Sequence, residues 1–356
     1  MIFLIRTKIK QNSRLIFCII ICVTSGVVLI SFPKVCADGA RNGITLCKDI
    51  IVPSLFPFLV LSSFATSSGT IDFLGRKTDK LFRKFFKLSG RSGAVVLFSL
   101  FAGFPVGASM ASELFSQNKI TKTEAQRITL SCVNAGPAFV IGAVGTTMLS
   151  SFKAGVLIFI ALSLSSVFIA YFSKFIFEED VLKETKSISK TSISQSLVNS
   201  VYGASKSIFS ICGWVILFSS FINIISSKNE SESFIITATS FLEVCSGSVI
   251  LSKKGNPVIL AALLGWGGLC VHAQIFPFVL KTGTKPRYFF CFRVLNCALS
   301  SIICYFLFDL FPCEVSVFSQ GITAVSKTFA VSAPAAAGLI LMCAILILDL
   351  DIGEKV

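Results

Sequence analysis

Chemistry in this chain would sit at the few polar side chains inside apolar runs. Glu243 lies in Leu242-Glu243-Val244-Cys245-Ser246-Gly247. His272, the single histidine, follows Gly267 and Gly268 and stands two residues before Gln274, and Arg293 and Asn296 share one turn of the next run. An ionisable group at membrane depth is costly unless it faces a partner or a wet cavity. The spacing therefore points to a buried polar network of Glu243, His272 and Arg293 that binds a ligand, relays a proton or simply ties helices together. A hydrolytic triad is disfavoured, because no nucleophile elbow accompanies the histidine. The ligand spacings of a metal site are also missing: thirteen cysteines include no CxxC pair, and most lie inside apolar runs as small packing residues. The sequence thus calls for no cofactor, no metal and no enzyme activity.

The first half of the chain offers backbone rather than charge. Gly103-Phe104-Pro105-Val106-Gly107 and Asn134-Ala135-Gly136-Pro137 each interrupt an apolar run. Proline removes a donor and glycine loosens a helix. Such breaks free backbone groups that can line a solute site, or they are kinks where helices pack closely. Asp49, just before Pro53 and Pro57, is a weaker candidate because Lys48 adjoins it.

These groups are positioned by a very apolar chain. Of 356 residues, 54% are hydrophobic and 14% charged, with a mean hydropathy of +0.83. Soluble domains carry about 25% charged residues. The composition excludes a cytosolic enzyme, a nucleic-acid binder and a disulfide-stapled secreted module. The formal charge of +14 is distributed between apolar runs and serves topology. Arg6, Lys8, Lys10 and Arg14 precede the first run, Leu15–Phe32, and place the N-terminus in the cytoplasm. Val35-Cys36-Ala37 loosely fits a cleavage site, but the run is longer than a signal-peptide core, so a retained anchor is favoured. Arg76, Lys77, Lys80, Arg83, Lys84, Lys87 and Arg91 alternate with Leu81, Phe82, Phe85 and Phe86. That pattern suits a helix lying on anionic lipid headgroups at the cytoplasmic face.

Apolar runs at 44–66, 93–115, 128–149, 154–177, 207–225, 234–251, 257–280, 289–308 and 329–348 follow the first. They predict an all-α polytopic membrane protein of nine or ten spans. The run at 234–251 is short and interrupted by Glu243, and reads as re-entrant. Ser62-Ser63-Phe64 recurs as Ser219-Ser220-Phe221, and Thr121-Lys122 recurs as Thr284-Lys285, at separations of 157 and 163 residues. Residues 100–107 resemble 263–270 at the same offset. The expected organisation is an N-terminal anchor (1–36), a first repeat (37–177), a polar linker (178–206), a second repeat (207–348) and a polar tail (349–356). Duplication with broken apolar segments in matching places is a transporter pattern.

Pro53-Ser54-Leu55-Phe56-Pro57-Phe58, the glycine motif at 103–107, and Thr123-Glu124-Ala125-Gln126-Arg127 leading to Asn134 and Pro137 form an ordered set. Glu243, Gly267-Gly268, Val271-His272-Ala273-Gln274 and Arg293 continue it. Over residues 40–310 the set resembles a family of sporulation integral membrane proteins within the wider nucleoside-recognition, or Gate, family. The resemblance implies a multi-pass protein of the cell membrane, or of the membranes around the forespore, in an endospore-forming bacterium. It would move or gate a small molecule or ion, or act as a scaffold for spore assembly, and its partners would be the lipid bilayer, that solute and a second copy in a homo-oligomer. The positions so implicated are Gly103, Pro105, Gly107, Asn134, Pro137, Glu243, Gly267, Gly268, His272, Gln274 and Arg293.

Overall fold

The structure, a computed structural model, describes residues 23–177, 192–228 and 231–313, together with Ile16, Ile19 and Ile20. The described residues are helical and contain no strand. After a helical stretch over 23–31, α1 (Pro33–Leu46) passes through a π-helical turn (Cys47–Ile51) into α2 (Val52–Ser67). α3 (Thr70–Phe86), α4 (Gly90–Ala102), α5 (Val106–Ser116) and α6 (Lys122–Ser131) follow, then a π-helical segment (Ala138–Met148) and α7 (Phe152–Phe172). The second half holds α8 (Ile193–Lys228), α9 (Glu232–Leu242), α10 (Val244–Ser252), α11 (Pro257–Trp266), α12 (Gly268–Lys281) and α13 (Pro286–Leu310). α8 begins inside the polar stretch 178–206, which the sequence reads as linker.

Among the described residues, five helices are long and apolar enough to cross a membrane: 33–67, 152–175, 193–227, 257–281 and 286–310. α3 and α4, bent by 92° at their junction, add a sixth if taken as one broken span. The nine or ten spans read from the sequence are not reached among the described residues, in part because of length. A crossing needs about 20 residues, and breaks cut the apolar runs at 93–115, 128–149 and 234–251 into helices of 9 to 13 residues. The run at 329–348 and the tail lie outside the described residues, as does most of the charged N-terminus. The chain is a multi-pass membrane protein.

Close helix packing is set by small residues, as expected where lipid removes the hydrophobic drive between helices. A Cβ added at Gly39 or Gly43 of α1 would come within 2.7 or 2.8 Å of the backbone of Ser220 or Ile216 on α8. Asn223 Nδ2 donates to Val35 O across the same seam, at 2.7 Å. α3 is two-faced. Ile71, Gly75 and Phe82 are buried, while Arg76, Lys77, Lys80, Arg83 and Lys84, with Lys87 at the helix end, are exposed beside the exposed rings of Phe73 and Phe85.

The α3–α4 corner is tied by charge. Asp79 Oδ1 accepts from Gly90 N at 2.8 Å, and Glu124 Oε1 accepts from Ser89 N at 2.5 Å. Arg127 donates to the carbonyls of Phe86 and Lys87, and reaches the other way to Ala170 O and Ser173 Oγ at the end of α7.

Candidate functional site

The helix breaks gather in one region. The turn between α4 and α5 meets the unwound stretch 132–137 directly: Phe104 N donates to Asn134 O at 2.7 Å. A Cβ at Gly103 (φ +72°) would lie 2.5 Å from Gly136 N, and one at Gly107 would lie 2.6 Å from the Cys132 side chain. Only residues without a side chain allow this approach. Pro105 caps the start of α5 and Pro137 precedes the π-helical segment, both starts where a missing N–H costs nothing.

The second half joins through two side chains of α13. Asn296 Nδ2 donates to Asn134 Oδ1 at 2.7 Å and to Gly265 O at 3.0 Å, and its Oδ1 accepts from Ser165 Oγ at 2.6 Å. Asn134 Nδ2 reaches Leu162 O and Ser166 Oγ on α7. The two asparagines stand 162 residues apart, one in each half of the chain. Arg293 donates to Val133 O and, at 2.9 Å, to Leu130 O.

Glu243 and Arg293 are not joined as the sequence suggests. Both are buried, at 1% and 0% exposure, but each sits on a helix end. Glu243 caps α10, accepting from Cys245 N at 2.8 Å and Ser246 N at 2.6 Å. Arg293 takes carbonyls at the C-terminus of α6. The partial positive charge of a helix N-terminus and the partial negative charge of a C-terminus neutralise these ions without a salt bridge. The other two buried charges follow the same rule. Glu124 completes a capping box with Thr121 at the start of α6, and Arg127 holds the ends of α3 and α7.

His272 lies apart from Glu243's carboxylate contacts. Its Nε2 bonds Trp266 O at 2.9 Å, and its ring packs edge-on against Trp266, Phe289 and Phe290. Its Nδ1 is buried without a partner among the described residues, as is Arg293 Nε. Gln274 Nε2 donates to Cys270 Sγ at 3.3 Å. Gly267 and Gly268, at φ +87° and +76°, make the turn between α11 and α12, and a Cβ at Gly268 would lie 3.0 Å from Val244 N. The glycine turn therefore rests on the Glu243 break.

A narrow recess, with room for about one water molecule, lies where these elements converge. One wall is Phe104, Ala135, Gly136 and Phe139, from the two first-half breaks; Ile51, Ser54 and Leu55 come from α1–α2, and Cys245 from the start of α10. Among the candidates read from sequence, Asn134 and Arg293 bind neighbouring chain rather than facing this space. The lining residues Ser54, Ala135, Phe139 and Cys245 were not singled out, and neither was the anchoring role of Arg127. Small and apolar residues carry no chemical signal in a chain this apolar. Arg127 did carry one, as a lone cation at the start of a buried run.

Two comparisons with known proteins bear on this region. Residues 50–178 match the Gate family model, described as nucleoside recognition. This span contains α2, both first-half breaks and α7. The sporulation integral membrane protein YlbJ of Bacillus subtilis (strain 168) is 24% identical to this chain over 333 residues, covering 81% of this chain and 80% of that protein. No solved structure matches the chain. The resemblance first read from the motif order therefore stands on both comparisons: the first half of the chain matches the Gate family, and most of its length is similar to a sporulation integral membrane protein.

Proposed function

We propose that this is a sporulation-linked membrane protein that moves or gates a small solute across the membrane, with the recess at Phe104, Ala135, Gly136, Phe139 and Cys245 as its solute site. The observation that carries the reading is the convergence of broken helices from both halves on one cavity. Unwound backbone at membrane depth is tolerated only against protein or a water-filled space. The Gate match and the similarity to the sporulation membrane protein support the same reading. A role in membrane transport or sporulation, rather than catalysis, fits those two similarities.

A second reading is a scaffold for spore assembly that transports nothing. It is favoured by Asn134, Asn296 and Arg293, whose side chains are engaged within the protein. In that case the outward-facing feature is α3, whose cations would lie on anionic lipid, each contributing about 1 kcal/mol that salt screens. Proteoliposomes holding the full chain separate the two. Accumulation of a labelled nucleoside, small acid or metal ion above empty vesicles, lost when the recess is narrowed by Ala135→Leu, establishes the first. Vesicle-level uptake of every solute, with spore yield falling on charge reversal in α3, establishes the second.

A further inference from the structure

Both ends of α3 lie where membrane-crossing helices end. The helix starts at Thr70, just after the candidate span 33–67. At its other end Lys174 Nζ donates to Phe85 O at 3.1 Å, and Arg127 ties the carbonyls of Phe86 and Lys87 to Ser173 Oγ. Ser173 and Lys174 close the candidate span 152–175. α3 has 17 residues and is about 25 Å long, so it runs from one span end to another at the level where those spans leave the bilayer. α4 departs from it at 92°. The corner is fixed: Arg91 Nε donates to Asp72 Oδ1 at 2.6 Å, and a Cβ at Gly75 would lie 2.8 Å from Arg91 N.

So placed, α3 has three faces. Ile71, Gly75 and Phe82 are buried against the protein. Phe73, Leu81 and Phe85 are exposed and, with Lys77, form one stripe at intervals of four residues. Arg76, Lys80 and Lys84 run beside it at the same pitch. Arg76, Lys77, Lys80 and Lys84 are exposed and make no salt bridge among the described residues. The nearby acids are already engaged, Asp72 by Arg91 and Lys119, and Asp79 by Arg83 and Gly90 N. Lys77 and Lys84 lie instead over the rings of Phe73 and Phe85.

Cations distant in sequence reach the same end of the molecule. Glu124 of α6 binds the α3–α4 corner, and Gln126 of α6 donates to Gly283 O at 2.8 Å, which brings the turn between α12 and α13 alongside. Lys122, Lys281, Lys285 and Arg287 are exposed there. Tyr171, Phe172 and Phe175 surround Lys174 beside the end of α3. Such aromatic clusters mark the boundary between membrane and water.

We infer that α3 and the turn at 281–287 form one binding surface for the phosphate groups of anionic lipid. α3 lies in the membrane plane, with the Phe73–Leu81–Phe85 stripe among the acyl chains and its cations at the headgroups. A soluble acidic partner would answer the charge but not the exposed rings, whereas an interfacial helix uses both, and the cytoplasmic leaflet supplies the phosphates. This deepens the lipid contact of the second reading but holds whether the protein transports or scaffolds, and its test measures neither.

The full chain is placed in nanodiscs of phosphatidylcholine, with and without phosphatidylglycerol, and treated with acetic anhydride. Acetylation of each lysine is followed by peptide mass spectrometry. Lys253 and Lys254 are the internal control. They are exposed at the opposite end, close to Pro257, whose carbonyl accepts from Cys304 late in α13. Phosphatidylglycerol should slow acetylation of Lys77, Lys80, Lys84 and Lys285 several-fold and leave Lys253 and Lys254 unchanged. High salt should restore most of the rate, because exposed charges are screened. Phe73→Ser and Phe85→Ser alter exposed rings and spare the packed face; each should weaken the protection. Should either variant misfold, the unaltered chain decides alone. Equal rates in the two lipids overturn the proposal and leave the face to a soluble acidic partner. Equal slowing at Lys253 and Lys254 overturns it too, since the lipid charge would then act on every surface alike. Full protection in both ring variants overturns the seating of α3 in the membrane plane.

Discussion

The two halves of the chain contribute differently to one junction. In the first, α6 ends at Ser131, the chain unwinds through Pro137 and resumes as a π-helical segment. In the second, α13 runs unbroken from Pro286 to Leu310. Asn134 sits in the gap and Asn296 on the intact helix, and they bond each other. Residues 133–136 cannot form the usual helical ladder, so their acceptors need outside donors, and the intact helix delivers them as side chains at a fixed pitch. One copy supplies backbone and the other supplies the side chains that hold it. The two halves of the chain thus divide the labour at one junction.

Breaking that junction at its strongest member should have the largest effect. Arg293→Met leaves the carbonyls of Leu130 and Val133 buried and unpaired. An unsatisfied buried group costs about 1–3 kcal/mol, so the pair implies about 2–6 kcal/mol, with lower abundance and an earlier SDS-unfolding midpoint. Loss of the buried cation's own desolvation cost offsets part of this. An unchanged midpoint would mean that these carbonyls do not depend on α13.

Glycine at the two turns offers the next comparison. Gly103 and Gly267 both have φ near +80°, yet a Cβ at Gly103 would lie 2.5 Å from Gly136 N, whereas at Gly267 the nearest atom is Val271 Cγ1 at 3.6 Å. Gly267→Ala should cost only the left-handed strain, about 1–2 kcal/mol. Gly103→Ala adds a backbone clash and should cost more, about 2–4 kcal/mol, on the scale of other large mutational effects. Equal losses in melting temperature would remove the special closeness assigned to the first-half breaks.

These features differ in how far they were legible. Membrane insertion and the positions of the breaks follow from apolar runs and helix-breaking residues such as Pro105 and Gly268. The span number did not follow, because a run such as 93–115 looks long enough until Gly103 and Pro105 divide it into α4 and α5. The partners of Glu243 and Arg293 did not follow either. Opposite charges in neighbouring apolar segments suggest each other, but no composition or spacing shows that a helix end is nearer. That information is tertiary, and the four buried charges are solved by termini contributed from elsewhere in the chain.

The paired asparagines test the coupling between halves at a smaller scale. Asn296→Ala removes donors to Asn134 Oδ1 and Gly265 O together with the acceptor for Ser165. Asn134→Ala removes the facing side chain. Each alone should cost about 1–3 kcal/mol, and residues in direct contact show coupling of about 0.5–3 kcal/mol in a double-mutant cycle. The double variant should therefore be less damaged than the sum. Strict additivity in unfolding free energy would mean that the two halves are not joined through this bond.

Glu243→Gln should have the smallest effect on stability, and it discriminates most sharply between structure and function. The carboxylate takes two N–H groups at the start of α10 through two different oxygens. Gln keeps the shape and one acceptor, but turns an NH2 toward the second donor and removes the charge that complements the helix N-terminus. Cap and dipole effects of this kind are worth about 0.5–2 kcal/mol. If Glu243 is a cap and nothing more, membrane abundance should fall slightly, and spore yield or transport per molecule should be retained. If its charge also acts on a solute beside Cys245, abundance should stay near normal while activity per molecule drops. Quantitative blotting beside spore counts, with Gly69→Ala as the control, since at φ +81° it adds only left-handed strain in open space before α3, separates these outcomes. A loss shared equally by both variants assigns Glu243 to the fold. A loss confined to Glu243→Gln places it in the site, where it would make the second half an active party to solute recognition rather than only the clamp on the first.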